Sequence, residues 1–184
     1  MQPWRWSGET GQELHDALRH VVAAAQPRSY LEIGVDGGGS LETVIGAMKT
    51  PLERIVLCDK WNWDVHPYLH DFNHIYKVLD NCGVNRKQTS VEFRDGDSKL
   101  TVPKIRETFD LITVDGDHSA EGGAADLQNT WPLLNPGGFL VFDDIDHPVY
   151  PWLRAVFNDW IVDKMAEIVS QDGAPATTVV VRKI

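Results

Sequence analysis

Two short strings in this chain place carboxylates where they could share one ion. Val114-Asp115-Gly116-Asp117-His118-Ser119 ends one apolar run, and Phe142-Asp143-Asp144-Ile145-Asp146 ends another. If the two runs are neighbouring strands, Asp115, Asp143 and Asp144 meet at one sheet edge. Three carboxylates with waters and substrate oxygens make a hard site suited to Mg2+, which prefers oxygen ligands. The spaced acids and glycine of an EF-hand loop are absent. The charge distribution points to the same place: eight acids and no Lys or Arg lie between Asp110 and Asp146, while the rest of the chain contributes only −2 to the net charge of −10. Asp117 and Asp146 are expected to cap helix N-termini instead. His118 stands three residues after Asp115, and a free imidazole with a pKa near 6.5 can accept a proton at neutral pH. His118 is therefore the first candidate for a general base, with Asp115 the second.

A second constellation is rich in glycine. The run Ser29–Val35 leads into Glu32-Ile33-Gly34-Val35-Asp36-Gly37-Gly38-Gly39-Ser40, and a helical pattern follows. Glycines allow positive φ and let a ligand approach the backbone. The carboxylate of Glu32 favours an ammonium group over a phosphate at this turn. The dinucleotide fingerprint G-x-G-x-x-G fails because Asp36 occupies the place of its second glycine, and no Gly-Lys-Ser/Thr completes a Walker loop. Asp59, after the second apolar run, is placed to bind ribose hydroxyls. Gly96-Asp97-Ser98 offers a further polar loop at the same edge.

The elements that must hold these loops alternate. Thr10-x-x-Glu13 reads as a capping box for a helix over about 10–26, with Leu14, Ala17, Leu18, Val21 and Val22 on one face. Short apolar runs follow at Ser29–Val35, Arg54–Asp59, Val91–Arg94, Asp110–Val114 and Phe139–Phe142, the last introduced by Pro136-Gly137-Gly138. Between them, helical spacing appears at Leu41–Met48, Leu69–Leu79, near Lys99–Thr108 and at Leu127, Trp131 and Leu134. Trp152, Val156 and Trp160 form one more stripe, with Trp131, Trp152 and Trp160 at core positions. Met165–Val169 and Thr177–Val181, around the turn-rich Gln171–Pro175, read as a terminal antiparallel hairpin. Near-continuous apolar strands separated by helices predict an α/β fold: a doubly wound Rossmann-like sheet of about seven strands, mostly parallel, with an antiparallel C-terminal strand.

The 184 residues fit one domain, 1–184, with a core from about residue 29 onward. Acidic character argues against nucleic-acid or anionic-membrane partners. No apolar stretch reaches membrane-spanning length and no secretory leader is visible, so a cytoplasmic protein is expected. Two cysteines make neither a disulfide framework nor a zinc knuckle. His66, His70 and His74 share a helix face without the glutamate of a zinc-protease motif. Trp61, Trp63 and Tyr68 either stack on a ligand or make ordinary apolar contacts. No G-x-S-x-G elbow supports serine hydrolysis.

The E-x-G-x-x-x-G form of Glu32, Gly34 and Gly38, the acid Asp59 and the Gly96–Ser98 loop together resemble the class I S-adenosylmethionine-dependent methyltransferases. The resemblance implies that Glu32, Gly34, Asp36, Gly37, Gly38 and Ser40 surround the methionine part of S-adenosyl-L-methionine. It also implies that Asp59 binds the ribose, that Asp97 and Ser98 bind the adenine side, and that Asp115 borders the cofactor. VDGDHS, a following amphipathic helix, PGG and FDD are similar to the metal-dependent O-methyltransferases of the macrocin and novobiocin type. Their metal ligands fall on Asp115, Asp143 and Asp144, with the same 28-residue step from the first to the second. The base of the macrolide-sugar members falls on His118. This resemblance implies methyl transfer to a hydroxyl oxygen of a small molecule, assisted by Mg2+ or another divalent metal. Macrocin-type enzymes carry additional N-terminal or lid segments, so the acceptor site here is expected to be open or completed by a partner subunit in a homo-oligomer. Two alternatives stay open: Asp115-Gly116-Asp117 as the D-x-D motif of a nucleotide-sugar transferase, and a non-catalytic cofactor-binding module of the same fold.

Overall fold

The computed structural model describes residues 13–61, 71–169 and 177–184. Thr10, Trp63, His66, Pro67, Tyr68, Leu69 and His70 lie outside the described residues, as does the Gln171–Pro175 turn. The elements run α1 (Glu13–Ala25), β1 (Ser29–Ile33), α2 (Gly39–Ala47), β2 (Arg54–Asp59), α3 (Phe72–Asn81), β3 (Ser90–Asp95), α4 (Ser98–Thr101), β4 (Phe109–Val114), α5 (Ala120–Thr130), β5 (Leu134–Phe142), α6 (Leu153–Ile161), β6 (Ala166–Ile168) and β7 (Val179–Lys183). The sheet order is β3-β2-β1-β4-β5-β7-β6. Strands β1 to β5 are parallel, and β7 runs antiparallel to β5 and to β6.

Strand alternation explains the two cores. Leu31 and Ile33 of β1 face one cluster with Leu127 of α5 and Leu153, Phe157 and Trp160 of α6. Tyr30 faces the opposite cluster with Ala17, Leu18, Val21 and Val22 of α1, Leu41 and Val44 of α2, and Ile75 and Leu79 of α3. Each such fully buried aliphatic side chain contributes about 1.5–3 kcal/mol of transfer free energy. Helix starts follow local chemistry: Asp71 caps α3 by accepting from Asn73 N–H at 3.0 Å, and Ser119 caps α5 by accepting from Gly122 N–H at 2.9 Å.

The larger boundary differences from the sequence reading have backbone reasons. β1 stops at Ile33, because Gly34 turns to φ +81°. Pro132 cannot continue a helix, so Trp131–Leu133 is a single 3-10 turn and Leu134 opens β5 rather than closing α5. β5 absorbs Pro136-Gly137-Gly138 where the register shifts against β4 between Phe109 and Leu111, with Gly137 at φ +80°. The short helix read near Lys99–Thr108 is α4 followed by a 3-10 turn over Val102–Lys104. Among the described residues, no helix is long and apolar enough to cross a membrane.

Candidate active site

The strand order reverses direction between β1 and β4, and a ligand crevice forms at that point outside the carboxyl ends of the strands. Backbone bonds bring those ends level: Gly34 N–H donates to Cys58 O at 3.0 Å, Asp115 N–H to Ile33 O at 2.9 Å, and Asp143 N–H to Val114 O at 3.1 Å. The cavity above them has a volume of about 810 Å³. Gly34, Asp36 and Asp59 line its middle. Gly96, Asp97 and Ser98 line one end, and Asp115, His118, Asp144, Tyr150 and Trp152 the other.

The glycine turn is locked from several sides. An added Cβ at Gly34 would lie 1.8 Å from the Asp115 carbonyl oxygen, so only glycine lets β1 and β4 close together. Asp59 Oδ2 accepts from the N–H groups of Val35 at 2.7 Å and Asp36 at 2.9 Å, while its Oδ1 accepts from Lys60 N–H at 2.6 Å. A carboxylate offers about four acceptor positions, so one remains free of these backbone donors. Glu32 is fully buried and accepts from the Ser40 hydroxyl, with burial pushing its carboxyl up to about 8. Glu32 and Ser40 therefore brace the turn from behind and do not line the cavity, and neither do Gly37 and Gly38. His74 Nε2–H donates to the Gly37 carbonyl at 3.2 Å, tying α3 to the same turn.

At the acidic end, ligand atoms of Asp115, His118 and Asp144 all lie within 4.8 Å of one another. His118 Nε2 is 3.3 Å from Asp115 Oδ1 and 2.9 Å from Asp144 Oδ2. These two carboxylates, Asp115 first, push the imidazole up to about 10. Asp144 adopts φ +57° and Asp36 φ +45°. Such backbone strain in non-glycine residues clusters at functional sites. Asp143 is not one of the three converging groups. Its carboxylate accepts from the Thr178 hydroxyl, and burial together with the charge of Asp115 raises it to about 8. Asp117 accepts from Ser119 N–H at 2.9 Å and lies 3.5 Å from Lys99 Nζ, and Asp146 pairs with Arg154.

Two residues of this end were missed by the sequence reading. Tyr150 stacks on the His118 ring at 4.4 Å and 10°. Trp152, expected in the core, is 43% exposed and donates its indole N–H to the His118 carbonyl at 2.7 Å. Aromatic residues straight after the acid-rich end of β5 were the available signal. Trp61 resolves the other way. It is buried against Phe72 and Phe93, away from the cavity.

The acidic end makes stability depend on pH. A carboxyl raised in the folded state, as in Asp143 and Glu32, binds more protons folded than unfolded between about pH 4 and 8, so stability falls as pH rises through that window. His118 acts in the same direction: its contribution is present in full below about pH 6.5 and is lost as pH rises through about 10. In EDTA the protein is expected to melt lower at about pH 8.5 than at about pH 6. A Tm that climbs with pH in EDTA would contradict this.

A seven-stranded 3-2-1-4-5-7-6 sheet with its cavity at the glycine turn after β1 defines a class I methyltransferase fold. The family model described as a methyltransferase domain matches residues 31–145, and the chain belongs to that family. Among solved structures it is similar to CalS11, a TDP-rhamnose 3'-O-methyltransferase of calicheamicin biosynthesis, with 24% identity over 97% of this chain and 80% of that one, TM-score 0.68. It is also similar to the Bacillus cereus O-methyltransferase in complex with SAH, with 18% identity, 97% and 84% coverage and TM-score 0.69. The O-methyltransferase NovP gives 18% identity, 94% and 80% coverage and TM-score 0.68. No curated protein matches the chain in sequence.

Proposed function

We propose that this methyltransferase moves the methyl group of S-adenosyl-L-methionine to a hydroxyl oxygen of a small-molecule acceptor, assisted by a divalent metal ion such as Mg2+. The observation that carries this reading is the convergence of Asp115, His118 and Asp144 at one end of a cavity lined by Asp59 in its middle and by Asp97 and Ser98 at its other end. The acids fit a cation. Burial raises Asp115, with the charges of Asp144 and Asp36 adding to it, and burial with the charge of Asp115 raises Asp143, so these carboxylates disfavour one another's ionised forms and a cation among them would relieve that. Asp115 and Asp144 would hold the ion, with Asp143 beside them. When bound, such an ion supplies Lewis acidity that lowers the pKa of an acceptor hydroxyl and fixes its position.

The remaining chemistry belongs to the chain. A cation held by Asp115 and Asp144 would compete with the two carboxylate interactions that hold His118 protonated, which would lower its pKa from the raised value. His118 Nε2 then takes the acceptor's hydroxyl proton. The oxygen's electron pair forms the new C–O bond, the C–S bond breaks, and its electrons return to sulfur, leaving S-adenosylhomocysteine. Tyr150, flat against the imidazole, and Trp152, on its carbonyl, keep the ring in place. The D-x-D reading draws no support from the site, because Asp117 is engaged by Lys99 and Ser119 and stays outside the cluster. A panel of sugar and phenolic hydroxyl compounds, assayed by S-adenosylhomocysteine release, is expected to show turnover with Mg2+ and none in EDTA. Release that EDTA leaves unchanged would remove the metal from the reading.

A further inference from the structure

Trp152 lines the cavity at the His118 end, yet 43% of it stays exposed. Packing does not explain its place, because α6 is buried through Leu153, Phe157 and Trp160 instead. An indole has one polar atom, the N–H donor, and here it is already engaged by the His118 carbonyl at 2.7 Å. Tyr150 stands against the same ring at 6.3 Å and 61°. The indole is thus held from two sides, on the backbone of the candidate base, and what it leaves open to the cavity is an apolar ring surface.

The charged groups around this surface are acids. Asp115 and Asp144 line the same end, and an ionised carboxylate can only accept, which suits hydroxyl donors and offers nothing to an anion. Among the described residues, no Lys or Arg lines this end. None occurs in the sequence between Glu107 and Leu153, the stretch that holds β4, β5 and the loops after them. Arg154 donates to Asp146 at 2.8 Å, and Lys99 Nζ lies 3.5 Å from Asp117. A carboxylate or phosphate drawn in beside Trp152 would give up its water and gain no cationic side chain in return. We infer that Trp152 is a specificity residue for the acceptor: it takes one face of an uncharged hydroxylated ring, sugar or phenol, with no carboxylate or phosphate next to the hydroxyl that is methylated. The inference rests on the proposed methyl transfer, which puts the acceptor at the His118 end.

Titration calorimetry on the protein saturated with S-adenosylhomocysteine and Mg2+ tests this by binding, without turnover. The probes are two pairs that differ by a carboxylate: catechol with protocatechuate, and methyl glucoside with methyl glucuronide. In at least one pair the uncharged member is expected to bind about tenfold or more tightly than its carboxylated partner, and the pair that responds tells phenol from sugar. Trp152→Ala should weaken that member by about tenfold or more, with S-adenosylhomocysteine affinity unchanged. Trp152→Phe keeps a ring face without the N–H and should hold the affinity to within about threefold. A loss in Trp152→Phe as large as in Trp152→Ala would leave Trp152 a tie on the His118 backbone and overturn its role in specificity. The comparison of charges is made on the wild type, so it decides the matter even where a variant fails to fold. Carboxylated probes that bind as tightly as their partners overturn the inference alone. So does a protein that binds S-adenosylhomocysteine and none of the probes. Wild type that binds no S-adenosylhomocysteine overturns the S-adenosyl reading, and this inference with it.

Discussion

His118→Ala is expected to lower methyl transfer by about 10²–10⁴-fold while leaving S-adenosylhomocysteine affinity nearly unchanged. The size follows from the role: removing a general base costs that factor, and the imidazole lies at the acidic end of the cavity, away from Asp59 and Ser98. A structural role predicts a different pattern. The imidazole sits between Asp115 and Asp144 and offsets their repulsion, so its loss would lower the Tm in EDTA, and Mg2+ would restore the Tm. The two roles separate in one experiment, because restored stability without restored turnover identifies the base. A His118→Ala protein that turns over at near the wild-type rate in Mg2+ would transfer the proton to another group, Asp115 first.

Gly34→Ala should be the most damaging glycine-to-alanine change among the described residues. Its Cβ would stand 1.8 Å from the Asp115 carbonyl oxygen and 2.5 Å from the carbonyl carbon, and the backbone sits at φ +81°. The contact is backbone to backbone, so no side chain can swing aside. β1 and β4 must separate at the point where both the cofactor turn and Asp115 are held. A loss of more than about 4 kcal/mol is expected, with no measurable S-adenosylhomocysteine binding in any folded fraction. Gly46→Ala is the control: its added methyl meets nothing within 4 Å, and alanine is the better helix former. A Gly34→Ala protein as stable as Gly46→Ala would mean that the ends of β1 and β4 are not packed as described.

Much of this was legible in the sequence because parallel strands buried on both faces leave short apolar runs, and loop chemistry follows each run directly. The strands after Ser29, Arg54 and Asp110 were read to within two residues, and the β7 reversal followed from the turn-rich stretch before Thr177. What the sequence left hidden was set by tertiary geometry. Trp131 and Leu134 matched a helical period, but Pro132 overruled it. Trp152 matched the stripe of Val156 and Trp160, yet it precedes α6 and turns to the His118 carbonyl. Glu32 and Ser40 fall within the glycine motif, but alternation along β1 sends Glu32 to the buried face with Tyr30, where it braces the turn. Asp143 and Asp144 are adjacent in sequence. Only the left-handed backbone of Asp144 turns its carboxylate towards Asp115 and His118, while Asp143 meets Thr178.

The most direct test of the central claim is a pair of melting curves, one with S-adenosylhomocysteine and one with NAD. A ligand selective for the native state raises the Tm by mass action. The turn after β1 offers Asp36 and the Asp59 carboxylate, and no pyrophosphate-binding G-x-G-x-x-G. S-adenosylhomocysteine at about 100 times its Kd should stabilise the protein by about 2.7 kcal/mol, and NAD should leave the Tm unchanged. Equal stabilisation by both, or stabilisation by NAD alone, would contradict the account.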